Sequence, residues 1–260
     1  MEFLNQLFGV AGKSVLITGG SRGIGLAIAE GFVKAGARVY ICSRDAAVCD
    51  EAATELSEFG TCIALPGNVS DHEGRASLVA RLAKYETQLD VLINNAGAIW
   101  AAPLAEYPEH GWDKVFDLNV KAVFYLIQQF LPMLEAGATL ENPARIINVG
   151  SVNALRIPDH ETYAYVSSKA AVHQLTRHLA GKLAARHVTA NVLAPGLYPS
   201  KMLTKDIEVK GEEAVVGRVP LRRLSTSLDM SGAAIYLASQ AGSFLTGAVI
   251  PVDGGMATTV

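Results

Sequence analysis

The chain has 260 residues, of which half are hydrophobic and 18% are charged, and its net charge at pH 7 is −3. This length suits one α/β domain with a full hydrophobic core, and the composition is that of a globular protein. A slightly acidic chain with scattered lysines and arginines lacks the basic patch of a nucleic-acid-binding protein.

The N-terminal residues and the cysteines indicate where the protein works. Residues 1–13 lack the basic start and the long apolar core of a signal peptide. Cys42, Cys49 and Cys62 have no metal-ligand spacing, and their odd number argues against a disulfide framework. The uncharged stretch Met230–Val252 is interrupted by serines, glycines and a proline, which favours a helix, a turn and a strand over a membrane span. We therefore expect a cytoplasmic protein that neither spans a membrane nor binds nucleic acid.

Short apolar runs alternate with amphipathic helical stretches along the whole chain. The runs predict seven strands, at Ser14–Thr18, Arg38–Cys42, Thr61–Leu65, Val91–Ile93, Arg145–Gly150, Thr189–Leu193 and Ala248–Val252. The helical stretches are Leu26–Lys34, Asp45–Phe59, Asp71–Lys84, Trp112–Ala136, Tyr163–Arg186 and Ser227–Ser239. Residues 1–13 are predicted to be a short lead-in, and Leu197–Arg223 has no firm period. Since no linker or repeat divides the chain, we predict one α/β domain over residues 1–260. Its fold is a doubly wound Rossmann-type domain with a seven-stranded parallel sheet and helices on both faces.

A serine, a tyrosine and a lysine follow the fifth predicted strand. Ser151 stands at the carboxyl end of that strand, where open α/β sheets bind ligands. Tyr165 and Lys169 are four residues apart, roughly 400° of helical turn, and so share one helix face, whereas Tyr163 lies about 240° away from the lysine. We expect the ammonium of Lys169 to lower the pKa of the Tyr165 phenol from about 10 towards the range in which proton transfer is efficient.

The first predicted strand is followed by a glycine-rich turn. Gly19, Gly23 and Gly25 open the next helix, where glycine allows a tight turn and lets backbone N–H groups approach a pyrophosphate. The spacing is G-x-x-x-G-x-G and differs from the common G-x-G-x-x-G dinucleotide fingerprint.

The same turn also matches G-x-S-x-G, the nucleophile elbow of serine hydrolases, with Ser21 as the nucleophile. No strand precedes the turn to supply an oxyanion-hole loop, and no acid or histidine stands out as a partner. The six histidines form no metal-binding motif, and we interpret most of them as surface or packing residues. The hydrolase is therefore the least favoured alternative.

The end of the second predicted strand indicates the cofactor. A carboxylate at this position would bind the ribose 2′-hydroxyl of NAD, but the chain has Ser43 and Arg44 there. With Arg22 in the glycine turn, two guanidinium groups suit the 2′-phosphate of NADP, which arginine binds bidentately.

Six motifs resemble, in order and spacing, those of the short-chain dehydrogenase/reductase family. They are TGGSRGIG at Thr18–Gly25, NNAG at Asn94–Gly97, Asn119 within LNV, Ser151, YVSSK at Tyr165–Lys169 and APG at Ala194–Gly196. The resemblance covers essentially the whole chain. Residues 163–175 and 191–202 are similar to the 3-oxoacyl-thioester reductase branch of the family.

The resemblance implies a role for four residues of the motifs. Ser151 would hydrogen-bond the substrate carbonyl, and Tyr165 would donate a proton as hydride arrives from the nicotinamide. Lys169 would hold the ribose hydroxyls and lower the pKa of the tyrosine. Asn119 would support a water that links Lys169 to solvent.

The resemblance also implies a cofactor-binding set. Asn95–Gly97 would line the adenine ribose, Pro195 and Gly196 would face the nicotinamide, and Ser200 would lie near its carboxamide. The full set expected to bind NADP is Gly19, Ser21, Arg22, Gly23, Ile24, Gly25, Ser43, Arg44, Asn68, Val69, Asn95, Ala96, Gly97, Tyr165, Lys169, Pro195, Gly196 and Ser200.

Three departures from the family pattern affect this assignment. The spacing from Ser151 to Tyr165 is one residue longer than usual, and the connection Gly137–Ala144 is also longer. Asn68 replaces an aspartate that commonly meets the adenine, although an amide can both donate and accept.

We therefore predict NADPH-dependent reduction of a small-molecule ketone to a secondary alcohol, with a 3-oxoacyl thioester as the favoured substrate. The alternatives are reduction of a sugar, polyol, steroid or quinone and, outside the enzymes, an NADP-binding sensor or scaffold without turnover. The intact catalytic set argues against the latter. Three segments are expected to set the substrate, Ala98–Pro108, Ala154–Thr162 and Leu197–Arg223, of which the last is a candidate lid. The resemblance also implies a homotetramer or homodimer.

Overall fold

The computed structural model describes residues 2–259, apart from the side chains of Lys201, Met202, Lys205 and Asp206. Its strands are β1 (Ser14–Thr18), β2 (Arg38–Cys42), β3 (Cys62–Ala64), β4 (Val91–Asn94), β5 (Ala144–Val149), β6 (Val188–Pro195) and β7 (Val249–Val252). They form one sheet in the order β3-β2-β1-β4-β5-β6-β7, and every neighbouring pair is parallel. The predicted seven-stranded parallel sheet is confirmed.

Helices connect the strands. They are α1 (Glu2–Phe8), α2 (Gly23–Lys34), α3 (Ala46–Ser57), α4 (His72–Leu82), α5 (Glu109–Phe116), α6 (Ala122–Ala136), α7 (Tyr163–Leu183), α8 (Lys201–Lys210), α9 (Glu212–Val216) and α10 (Ser227–Ala238). None of the helices in the part of the chain that the structure describes is long and apolar enough to cross a membrane.

The helices cover both faces of the sheet, and this explains why its strands are apolar throughout. In β1, Val15 and Ile17 pack into the layer that contains α2, α3 and α10. Leu16, between them, packs into the opposite layer with α4, α6 and α7. All five residues of β1 are buried. Successive side chains of a strand point to opposite faces, so a sheet covered on both sides requires continuous apolar runs.

The structure corrects three expectations about the helices. The predicted helix Trp112–Ala136 is interrupted by a wide π-helical turn at Asp117–Lys121, between α5 and α6. Such single turns of wider helix occur frequently at functional sites, and this one carries Asn119. The expected lead-in contains α1. The region without a firm period contains the short helices α8 and α9.

Candidate active site

The carboxyl ends of the central strands open into one cavity of about 590 Å³. Ser151 lines it, together with seventeen of the eighteen residues expected to bind the cofactor, which include Tyr165 and Lys169. Gly25 and Asn119 are the two predicted site residues that lie behind the wall. The topology therefore brings residues from positions 19 to 200 into one place, as expected where the strand order reverses in a doubly wound sheet.

The glycine turn shapes one end of the cavity. Gly19 and Gly23 have φ values of +68° and +57°, a left-handed conformation that favours glycine. A Cβ on Gly25 would lie only 2.2 Å from the carbonyl oxygen of Gly19 and 2.4 Å from Nδ2 of Asn95. Gly25 thus allows close packing of α2 and makes no direct contact with the cavity.

The turn offers unused polar groups to a ligand. Ser21 is buried, and its Oγ has no hydrogen-bond partner among the described residues. A Cβ on Gly23 would meet nothing within 4 Å, so the backbone there faces open space. Asn95 fixes the turn to β4, because its Nδ2 donates to the carbonyl oxygens of Thr18 and Gly19, both at 3.0 Å. This free cradle at a helix N-terminus fits a pyrophosphate.

Two cations lie beside the cradle. The exposed side chains of Arg22 and Arg44 both line the cavity, and neither has an ion-pair partner in the described part of the chain. The nearest acid in sequence, Asp45, caps α3 by accepting from the N–H of Val48 at 3.3 Å. Ser43 donates its hydroxyl to the carbonyl oxygen of Asp45 at 3.1 Å. The residues that line this end of the cavity fit the 2′-phosphate of NADP and include no carboxylate that would bind a ribose hydroxyl.

Asn68, which replaces the usual aspartate, is held by its own loop. Its Nδ2 donates to Asp71 at 2.5 Å, and its Oδ1 accepts from the N–H and the hydroxyl of Ser70 at 3.2 and 2.8 Å. The amide therefore shapes the wall next to Val69. Its Oδ1 already accepts two bonds, which leaves the second N–H of Nδ2 as its free polar group for a ligand.

Ser151, Tyr165 and Lys169 converge at the other end of the cavity. Oγ of Ser151 accepts from the N–H of Asn153 at 3.1 Å, and the serine hydroxyl is hydrogen-bonded to Tyr165. Nζ of Lys169 lies 5.7 Å from the centroid of the Tyr165 ring and donates to the carbonyl oxygen of Val149 at 2.7 Å. Three of the four residues predicted to carry the chemistry are thus adjacent.

The protonation of the tyrosine differs from the sequence-based expectation. Burial raises the pKa of Tyr165, while the hydrogen bond with Ser151 lowers it by a smaller amount. Burial also lowers the pKa of Lys169 to about 8. The expected decrease in the tyrosine pKa is absent from the protein alone, because loss of solvent around the phenol raises the pKa by more than the hydrogen bond with Ser151 lowers it.

Asn119 supports the backbone beside the lysine. Its Oδ1 accepts from the N–H of Ala98 at 2.7 Å, and its Nδ2 donates to the carbonyl oxygen of Ala98 at 2.9 Å and to Ser168 at 3.0 Å. A Cβ on Gly97 would lie 3.3 Å from Oδ1 of Asn119 and 3.7 Å from Nζ of Lys169. Gly97 therefore keeps open the space between these two side chains.

One histidine, interpreted from the sequence as a surface or packing residue, belongs to this site. His173 is only 4% exposed, and its Nε2 accepts from the N–H of Ser151 at 3.4 Å. The sequence could have identified this histidine from its helical spacing, because residue 173 lies four positions after Lys169 and shares its helix face.

All three segments expected to set the substrate contribute to the cavity. Their lining residues are Ala98, Ile99, Arg156, Pro158, Asp159, His160, Leu197, Tyr198, Ser200, Leu203 and Arg218. Asp159 pairs with Arg218 at 2.8 Å and with Lys210 at 3.9 Å, which connects the loop after Ser151 to the candidate lid. Within that lid, four side chains lie outside the described residues, as stated above.

Comparison with known proteins gives consistent matches over nearly the whole chain. Residues 19–257 match a family model described as enoyl-(acyl carrier protein) reductase. The chain is 47% identical to the rhamnolipids biosynthesis 3-oxoacyl-[acyl-carrier-protein] reductase of Pseudomonas aeruginosa, over 97% of this chain and 99% of that protein. It is also 34% identical to the 5-keto-D-gluconate 5-reductase of Escherichia coli K12, over 99% of this chain and 100% of that protein.

Solved structures likewise resemble this chain over nearly its whole length. The Pseudomonas aeruginosa RhlG/NADP active-site complex superimposes with a TM-score of 0.92 at 47% identity, covering 96% of this chain and 98% of the other. A gluconate 5-dehydrogenase from Burkholderia cenocepacia in complex with NADP and tartrate gives a TM-score of 0.88 at 29% identity, covering 98% and 99%.

Proposed function

Because the chain belongs to the short-chain dehydrogenase/reductase family, we propose that it is an NADPH-dependent reductase that converts a 3-oxoacyl thioester to the 3-hydroxyacyl thioester. When bound in the cavity, NADPH supplies the hydride that reaches the carbonyl carbon. Arg22 and Arg44 hold its 2′-phosphate, the glycine turn holds the pyrophosphate, and Lys169 holds the ribose.

The residues at the other end complete the reaction. Ser151 donates a hydrogen bond to the carbonyl oxygen, which places the oxygen beside the Tyr165 hydroxyl. Tyr165 donates its proton to that oxygen as negative charge develops there. At neutral pH the phenol carries the proton that this direction requires. Lys169 then links the phenolate to solvent for reprotonation, and Asn119 supports the backbone beside the lysine through its bonds to Ala98.

The observation that carries the substrate class is the apolar wall around this end. Ile99, Val152 and Leu203 line the cavity, and Leu203 is only 6% exposed. At the loop beside it, Leu155 is 42% exposed and Ile157 is 90% exposed. An apolar wall with apolar residues at its edge suits an acyl chain, because burying each CH₂ group contributes about 0.8 kcal/mol.

A second candidate is the reduction of a keto sugar acid. Arg156 lines the same cavity and provides positive charge for a carboxylate. The similarity to the 5-keto-D-gluconate 5-reductase supports this alternative.

The test is NADPH oxidation measured across 3-oxoacyl thioesters of increasing chain length, 5-keto sugar acids, steroids and quinones. We expect kcat/KM to be highest for the thioesters and to rise with chain length, and we expect Tyr165→Phe to lower kcat by orders of magnitude without changing NADPH affinity. Faster reduction of a keto sugar acid than of any thioester would favour the second candidate. Full activity of the Tyr165→Phe variant would refute the reductase mechanism.

We further propose that the enzyme works in the cytoplasm as a homodimer or homotetramer. Free thiols at all three cysteines fit a reducing compartment. Trp112, Phe124 and Tyr125 on the neighbouring helices α5 and α6 are 39%, 38% and 36% exposed, and aromatic residues are enriched at protein interfaces. Light scattering of the purified protein tests the assembly, and a monomer at micromolar concentration would contradict it. Cell fractionation tests the compartment.

A further inference from the structure

A buried histidine lies directly beneath the turn that carries Ser151. His173 is 4% exposed, and the N–H of Ser151 donates to its Nε2 at 3.4 Å. A Cβ on Gly150 would lie 2.2 Å from the same nitrogen, so the imidazole edge approaches the backbone where there is no side chain. Gly150 therefore allows this contact, and any larger residue would exclude the ring.

The contact belongs to a set that fixes α7 against the end of β5. Lys169 donates to the carbonyl oxygen of Val149 at 2.7 Å, and Asn148 donates to the hydroxyl of Thr176 at 2.9 Å. With His173, three side chains on one face of α7 thus form hydrogen bonds with residues at the carboxyl end of β5 and just after it. Because α7 carries Tyr165 and β5 leads into Ser151, these bonds fix the position of the tyrosine relative to the serine.

Acceptance by Nε2 requires a neutral imidazole with its proton on Nδ1. Burial and the positive charges of Lys169 and Arg177 lower the pKa of His173 to about 4. The ring is therefore neutral at physiological pH and can accept the N–H. Without an acceptor, that N–H would be buried and unpaired, which costs about 1–3 kcal/mol and favours a different conformation of the turn.

We propose that His173 is a positioning residue for Ser151. By accepting the main-chain N–H, it keeps Ser151 in the extended conformation in which the hydroxyl reaches Tyr165. This inference rests on the proposed reductase function for its kinetic readout only, since the hydrogen bond itself can be measured without turnover.

The test compares His173→Gln with His173→Met. The two replacements have nearly the same shape, but only glutamine carries an acceptor close to the position of Nε2. We expect the methionine variant to lose about 10-fold in kcat, with the affinity for NADPH unchanged, and the glutamine variant to recover most of that loss. Val172→Ala, on the same helix, controls for a general loss of packing and should lower the melting temperature without a matching loss of kcat.

A double-mutant cycle separates positioning from a structural role. In a Ser151→Ala background, His173→Met should change the residual kcat by less than about 2-fold, because the hydroxyl that it positions is gone. A loss as large as in the unmodified enzyme would overturn the proposal.

Hydrogen exchange of the Ser151 amide gives a readout that does not depend on activity. Protection of this amide should be kept in the glutamine variant and lost in the methionine variant. Equal protection in both variants would overturn the positioning role of His173, whether or not any tested carbonyl compound is reduced. An inactive enzyme with the expected exchange pattern would refute only the proposed reductase function.

Discussion

At the scale of single residues, the central question is where the protons reside before the cofactor binds. Burial raises the pKa of Tyr165, so its hydroxyl keeps its proton at neutral pH. Burial lowers the pKa of Lys169 to about 8, much closer to neutral pH than its ordinary value. For ketone reduction the tyrosine must carry this proton, since it acts as the acid. The geometry follows from the sequence, because a spacing of four residues places both side chains on one helix face. The direction of the pKa shift does not follow, because it depends on how much solvent the surrounding segments exclude.

The lowered pKa of Lys169 predicts a pH-dependent contribution to stability. The unfolded chain holds the proton up to about pH 10.5, whereas the folded protein releases it near pH 8. Between these values the unfolded state binds more protons, so this group makes the free energy of unfolding rise with pH. We expect any stability gained by Lys169→Met at pH 7 to shrink as the pH rises from about 8 to above 10. Urea denaturation of both proteins over this range measures the difference.

Lys182→Met serves as the matched control, because it removes an exposed lysine from the same helix. Its free energy of unfolding, relative to the unmodified protein, should show no comparable trend. If the difference between Lys169→Met and the unmodified protein stays constant from pH 7 to 11, the lysine ammonium is not destabilised by burial as described.

At the scale of secondary-structure elements, the approach of α2 to the sheet controls the cofactor cradle. Gly25 lies in α2 against the carbonyl oxygen of Gly19, where a Cβ would come within 2.2 Å. Gly181, in α7, has nothing within 4 Å of its added Cβ. Both are helical glycines, so they differ in packing and share the same conformational cost.

These two glycines predict opposite effects of the same substitution. Gly181→Ala should raise the free energy of unfolding by about 1 kcal/mol, the difference in helix propensity between the two residues. Gly25→Ala should lower it and weaken NADPH binding, because the clash is with backbone and α2 must move away from β1. Denaturant melts and NADPH titrations of both variants measure this. A Gly25→Ala protein as stable as the Gly181→Ala protein would contradict the packing account.

The elements could be predicted where one physical signal dominates. The bounds of β1 and β2 agree with the prediction, because each strand is a short apolar run whose ends are marked by glycine or polar residues. The π-helical turn at Asp117–Lys121 could not be predicted, since its sequence continues a helical pattern. It is stabilised by the bonds of Asn119 to a distant loop and to α7. The position of His173 under Ser151 likewise depends on the pairing of α7 with β5, which periodicity alone does not specify.

At the scale of the whole molecule, the cavity depends on the complete sheet. Its walls include residues that follow five different strands, namely Gly19 after β1, Ser43 after β2, Asn95 after β4, Ser151 after β5 and Gly196 after β6. A ligand that contacts all of them binds only the folded arrangement. Binding must therefore stabilise the fold by mass action, and the size of that effect reports affinity.

This linkage predicts which nucleotide stabilises the protein. NADPH at about 100 times its Kd should add about 2.7 kcal/mol to the free energy of unfolding, and NADH at the same concentration should add less. Arg44→Asp should reduce the effect of NADPH and increase that of NADH, since it removes a guanidinium that suits the 2′-phosphate and supplies an acceptor for a 2′-hydroxyl. Lys182→Asp makes the same change in charge away from the cavity and should leave the order of the two nucleotides unaltered. Melting curves of the three proteins with each nucleotide measure this, and greater stabilisation of the unmodified protein by NADH would overturn the assignment of NADP.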